Sequence, residues 1–192
     1  SFKEARFLRA YFYFNLVRAY GDVPYFTEMV TTDQVNSLTR TPAQEIFNAI
    51  IAECDKLSTE LPADYTKLGL DGIAPAENGR VTCYAALALK ARAALYAASP
   101  LFNPENNKDL WRRAAEANKE VIETCTANGF KLSKYSELWG PNNWSNNEMI
   151  FVRRYNGNIS TLEEYNFPMG VPGGNSGNCP TQNMVDAYEM KA

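Results

Sequence analysis

Two stretches carry side chains that could do chemistry together. The first is "LWGPNNWSNNEMIFVRRYNG", residues 138–157, which sets Trp139, Trp144 and Tyr155 among Asn142, Asn143, Asn146 and Asn156. The second is "EEYNFPMGVPGGNSGNCPTQN", residues 163–183, which sets Tyr165 and Phe167 beside Asn175, Asn178 and Gln182. Flat rings can stack on the C–H face of a pyranose, and planar amides can hydrogen-bond its neighbouring hydroxyls. Non-covalent recognition of a hydroxyl-rich ring is therefore the chemistry these segments could support. The plainer reading stands beside it. Asn-rich loops are often turns, because asparagine tolerates left-handed backbone and caps itself. Trp139, before Gly-Pro, reads as a loop anchor, while Trp144 is open between ligand platform and packing.

Other chemistries have less support. The chain of 192 residues has no histidine, which removes Ser-His-Asp and Cys-His nucleophile systems and histidine metal sites. The four cysteines (Cys54, Cys83, Cys125, Cys179) lack C-x-x-C spacing; three fall in expected helices and read as buried thiols. Glu137, Glu148, Glu163 and Glu164 form no constellation resembling the paired carboxylates of a glycosidase. "VPGGNSGN" lacks the Lys-Ser/Thr ending of a phosphate loop. "NPENNKD" lacks the glycine and terminal glutamate of a calcium loop, and helix capping explains it better. Two sequons, Asn143-Trp144-Ser145 and Asn158-Ile159-Ser160, would matter only in a eukaryotic secreted protein. No catalytic residue, metal site or cofactor is expected. Net charge is −3 with basic residues scattered, so nothing suggests a polyanion-binding stripe. No apolar run approaches the ~20 residues of a membrane span.

The elements that must position these loops are helical. Ser1 and Glu4 form an S-x-x-E capping box for a helix running to Tyr20, with Gly21 to end it. Thr41, Pro42 and Gln44 suit the cap, first turn and capping box of a second helix, whose face is Ile46, Phe47, Ile50, Cys54, Leu57 and Leu61. Thr82 is the expected cap of a third, which holds eight alanines up to Ala98. A fourth runs from about Asp109 to Asn128, with Trp111, Ala114, Ala115, Asn118, Val121, Ile122 and Cys125 on one face. Arg112–Glu116 and Lys119–Glu123 are its expected outer pairs. After Gly129, "EMIFVRRY" (148–155) is a strand candidate, and a short helix starts near Thr181.

Helix 1 is apolar nearly all round, with Tyr11, Phe12, Tyr13 and Phe14 in succession, and helix 3 is rich in small residues. Both suit inner positions in a layered array, which makes Tyr11–Phe14 and Trp111 expected core. Arg6 and Arg9, with Arg18, must then pair or bond, each holding a loop or helix end. Arg80 is placed to bond carbonyls at a helix end, and Asp22 to stabilise its own turn. The expected fold is mainly α: stacked helical hairpins resembling tetratricopeptide repeats, though without a strict 34-residue period. Residues 1–128 form the scaffold and 129–192 a long irregular loop region with a final short helix, together one domain.

Six segments also resemble one known family. "EARFLRAYFYFNLVRAYGDVPYF" is similar to the signature helix and turn of SusD/RagB-type outer-membrane lipoproteins. "TPAQEIFNAIIAECDKLSTELP", "GRVTCYAALALKARAALYAASPLFN", "WRRAAEANKEVIE", "NEMIFVRRY" and "PTQNMVDAYEM" resemble later segments of that family, in the same order. The resemblance implies a tetratricopeptide-like scaffold and a non-enzymatic role: binding a glycan or other nutrient on the extracellular face of the outer membrane and passing it to a SusC-like TonB-dependent transporter. It also implies that the chain is a fragment, with the lipid-bearing cysteine and a long C-terminal part outside it. Trp144, Tyr155, Asn143, Asn156, Asn175 and Asn178 are the candidate ligand contacts, with Arg6, Arg9 and Arg80 structural. A helical-repeat scaffold that binds only a protein partner is the alternative.

Overall fold

A computed structural model describes residues 1–65, 79–139, 146–153 and 165–188. The chain forms two compact units, Ser1–Val152 and Arg153–Ala192. Their boundary falls well after Gly129, where the composition changes.

The first unit is built from helices α1 (Phe2–Tyr20), α2 (Thr32–Val35), α3 (Ala43–Glu60), α4 (Cys83–Ala98) and α5 (Lys108–Ala127), followed by a 3-10 turn at Tyr135–Trp139. Helix α1 has the full capping box, Ser1 to Glu4 and back. It stops at Gly21, whose φ of 69° is open to glycine and costly to most residues. The chain then turns back, and Thr41 N–H donates to Val23 O at 2.9 Å. That return places the Asp22 carboxylate at the start of α3, where it accepts from Ala43 N–H at 2.8 Å. Asp22 therefore caps the next helix instead of stabilising its own turn. Pro42, not Thr41, occupies the cap position. Gln44 does not complete a capping box. Its Nε2 donates to the carbonyls of Ala97 and Phe102, both at 2.7 Å, satisfying acceptors freed where α4 ends.

Helix α4 starts where expected, with Thr82 in the cap position, but without a side-chain cap bond. Cys83 N–H donates to Pro62 O and Ala85 N–H to the Thr82 carbonyl. The Thr82 hydroxyl is left buried without a partner instead of capping. The turn into α5 is tied by Asn103, which is 6% exposed. Its amide donates to Ala98 O and Asn107 O and accepts from Asn107 N–H, so the buried polar group is satisfied. Asn107 then caps α5.

The helices stack in the order α1, α3, α4, α5, with a lesser contact between α1 and α4. Helices α3 and α4 are inner, each with a neighbour on both sides. Alanine suits α4 there, because ten of its residues are buried, seven of them alanine, and small side chains let two neighbours approach closely. Phe7, Phe14, Val17, Ile46, Phe47, Ile50, Cys54 and Leu57 are the most deeply buried of the larger side chains. Burial pushes the Cys54 thiol up to about 12, as an inert core cysteine requires.

Helix α1 is an outer layer, not an inner one. Tyr13 and Phe14 are buried and Tyr11 half-buried, but Phe12 is 59% exposed. Leu8, Phe12, Leu16 and Tyr20 form an exposed stripe at helical spacing. At the other edge, Trp111 is partly exposed and Ile122 is exposed, because α5 contacts only α4 among the described helices. Trp111 is thus no core residue; its Nε1–H donates to Asn106 Oδ1 at 3.1 Å. Arg112 pairs with Asp109 at 2.6 Å rather than with Glu116. Lys119 approaches Glu123 to 3.6 Å.

No strand forms over 148–153; the rest of the strand candidate, 154–155, lies outside the described residues. A strand needs a partner edge, and the backbone bonds here are a local turn, Met149 N–H to Asn146 O, and Lys131 N–H to Asn147 O just before the run. Phe151 instead sets its ring edge-on to Phe7 and Tyr11. Among the described residues, no helix is long and apolar enough to cross a membrane.

The second unit contains α6 (Gln182–Asp186). Thr181 caps it through Met184 N–H. Ahead of α6 lies a folded loop over 165–178.

Candidate functional site

Trp144, Asn143, Tyr155 and Asn156 lie outside the described residues. Asn175 and Asn178 lie within them, on the 165–178 loop, and both are exposed. The loop is held at its base by its own backbone. Gly177 N–H donates to Tyr165 O at 2.7 Å and Ser176 N–H to Phe167 O at 2.9 Å. Its tip is turned by Val171 N–H to Pro168 O and Gly174 N–H to Val171 O, while the Ser176 hydroxyl accepts from Met169 N–H. Gly174 is required by space, since a Cβ there would stand 2.3 Å from Pro168 O.

Aromatic and amide groups share this loop. Tyr165 is 51% exposed, and its ring lies against Gly177. Next to that contact in sequence, Asn178 Nδ2 donates to Asn166 Oδ1 at 2.6 Å. Cys179, exposed, lies at the end of the loop.

The polar groups flanking 140–145 have structural partners. Asn146 Oδ1 accepts from the Ser133 hydroxyl and from Glu148 N–H, and the Glu148 carboxylate accepts from Ser133 N–H. Asn146, a potential amide for a ligand, is thus engaged in holding its own segment to 133. Among the described residues, no group of His, Cys, Asp or Glu could hold a metal ion.

The arginines hold the helical stack of the first unit together. Arg6 donates to Glu53 at 2.7 and 3.2 Å and to Glu60 at 2.8 Å, linking α1 to α3. Its guanidinium holds the Glu53 carboxyl below the usual carboxylate range. Arg9 holds the loop after α1 through Thr27 O at 2.9 Å. Arg80 ties the start of α1 to the segment entering α4. It grips the Glu4 carboxylate in two-pronged fashion, at 2.9 and 2.7 Å, and its guanidinium sits 4.2 Å from the centre of the Tyr65 ring. That grip lowers the Glu4 carboxyl to about 2, against the opposing effect of burial. Sequence reading had no signal for Glu4 as the partner, since the two residues are 76 positions apart.

The stack of helical hairpins in the first unit defines a helical-repeat class of fold. Comparison with known proteins sharpens that class. Residues 3–95 match the SusD-like family described as "starch-binding associating with outer membrane". The SusD-like protein P25 of Formosa agariphila is 25% identical over 149 residues, covering 77% of this chain and 24% of that protein. The crystal structure of a SusD-like protein from Bacteroides fragilis superposes with a TM-score of 0.75 at 28% identity, over 98% of this chain and 35% of that one. A SusD-like carbohydrate-binding protein from the same organism gives 0.60 at 28% identity, over 78% and 26%. The chain is thus similar to SusD-like proteins, and it spans about a quarter to a third of the length of these relatives.

Proposed function

We propose that the protein binds a glycan at the cell surface, as part of a longer SusD-like polypeptide, and delivers it to a SusC-like TonB-dependent transporter in the outer membrane without cleaving it. The observation that carries this reading is the ordered match to a starch-binding, outer-membrane-associated family, on a chain whose fold aligns with a carbohydrate-binding relative. The physical content agrees with it: aromatic rings and amides share loops, where binding residues concentrate. Trp144, Tyr155, Asn143, Asn156, Asn175 and Asn178 are the proposed ligand contacts. Anchorage through a lipidated cysteine of the longer polypeptide would place the site on the extracellular face.

A second reading, a scaffold for a protein partner alone, draws on the exposed stripe Leu8, Phe12, Leu16 and Tyr20. Affinity electrophoresis separates the two. The full-length protein is run through gels containing starch, mannan, β-glucan, xylan or mucin, with reducing ends assayed in parallel. Retardation in at least one gel, weakened by Trp144→Ala, with no reducing sugar released is the expected result. Release of reducing sugar overturns the non-enzymatic role. No retardation in any gel, with co-purification of a transporter retained, favours the scaffold.

A further inference from the structure

We propose that Tyr165 is a stacking platform for a pyranose ring, held flat by the bare backbone of Gly177, with the Asn178 amide, itself bonded to Asn166, addressing the adjoining hydroxyls. This deepens the glycan-binding reading above and rests on it. A Cβ built on Gly177 would stand 2.2 Å from Cε1, 2.2 Å from Cζ and 2.5 Å from Cδ1 of Tyr165. Those are three consecutive ring atoms at nearly one distance. An approach from the rim would leave the outer two clearly farther than the middle one, so the glycine lies over the face of the ring. With one face on Gly177 and 51% of the residue exposed, the opposite face is the one turned outward.

Simple burial does not account for this arrangement, because Tyr165 as a residue is 51% exposed. The loop instead fixes the ring's position. Tyr165 O accepts from Gly177 N–H, so the residue bearing the ring and the residue beneath it are bonded to each other. Only a residue without a side chain lets the two lie this close. A rigid, outward, apolar face suits the C–H face of a sugar, at little entropic cost on binding. The amides follow directly: Asn166 and Asn178 are the chain neighbours of Tyr165 and Gly177. A primary amide has two donors and an acceptor, so the bond from Asn178 to Asn166 leaves Asn178 a donor and an acceptor that suit two adjacent hydroxyls. The ligand class is an oligosaccharide of pyranose units with at least one ring face free of axial substituents.

The test uses the full-length protein and the polysaccharide that retards it most among starch, mannan, β-glucan, xylan and mucin. Tyr165→Ala is expected to weaken binding roughly tenfold, Tyr165→Phe to keep wild-type affinity, and Asn178→Ala to weaken it less than Tyr165→Ala. Gly177→Ala keeps the aromatic residue but forces its ring aside, and is expected to weaken binding as Tyr165→Ala does. Thermal midpoints should stay at the wild-type value, since Tyr165 is half exposed. Wild-type affinity in both Tyr165→Ala and Gly177→Ala sinks the platform while leaving glycan binding intact. Loss of affinity only in step with a lowered midpoint assigns Tyr165 a structural role and also overturns it. If the wild-type protein binds none of the five, the glycan-binding reading itself fails and the platform falls with it.

Discussion

Replacing Phe47 with alanine is expected to lower the stability of the 192-residue chain by about 3–5 kcal/mol. The ring is 0% exposed. It meets Phe102 edge-to-face at 5.0 Å and Phe14 at 6.5 Å, joining α1, α3 and the turn between α4 and α5 in one cluster. The stack gives those neighbours little freedom to close a cavity, because α3 is held from both sides. A domain of this size has a total stability on the order of 5–15 kcal/mol, so the thermal midpoint should fall by roughly 10 °C. Phe12→Ala is the control. Its ring is 59% exposed, and its loss should cost well under about 1 kcal/mol in this chain. Urea denaturation of both variants checks the contrast. Equal costs would mean that the outer face of α1 is covered.

Acid should weaken the clasp between the start of α1 and the segment entering α4. Hydrogen bonds from Arg80 are the main cause of the lowered Glu4 pKa, which falls from 4.5 to about 2. A carboxylate whose folded pKa is depressed contributes stability that is fully present above the unfolded value. That contribution is lost as pH falls through the folded one. The window is therefore 4.5 down to about 2, and the contribution at neutral pH is about 2–3 kcal/mol. Solvent around the Arg80 side chain, 30% exposed, moves it toward the lower figure. Glu53, held by Arg6, is shifted in the same direction and adds to the slope. Denaturation midpoints compared at neutral pH and near the bottom of that window should differ less in Glu4→Gln than in the wild type. Equal pH dependence in the two would remove Glu4 from the account.

Much of this scaffold is legible in the residues. Apolar periodicity and capping signals mark the four long helices within a residue or two, and the alanine density of residues 83–98 marks a helix with neighbours on two sides. Periodicity reports spacing, however, and not how many neighbours a helix has. Phe12 and Trp111 therefore read as core, although each faces away from its helix's packed side. Local motifs mislead in a related way. Thr41-Pro42-x-Gln44 matches a capping box, yet the cap comes from Asp22 and Gln44 serves the end of another helix. Such long-range bonds depend on chain return, which spacing does not encode. The run 148–153 reads as a strand because strand propensity says nothing about whether an edge is available. In the loop, the rings and amides are visible at once. Gly177 is not, because a glycine beneath a ring looks in sequence like any turn glycine.

If the glycan is held by loop residues and not by the helices, ligand protection should fall on the loops. Hydrogen–deuterium exchange of the full-length protein, with and without the polysaccharide it binds, tests this most directly. The account predicts slowed exchange over 140–178 on binding, with α3 and α4 unchanged. Slowed exchange confined to α3 and α4, or none over 140–178 at saturating polysaccharide, would contradict it.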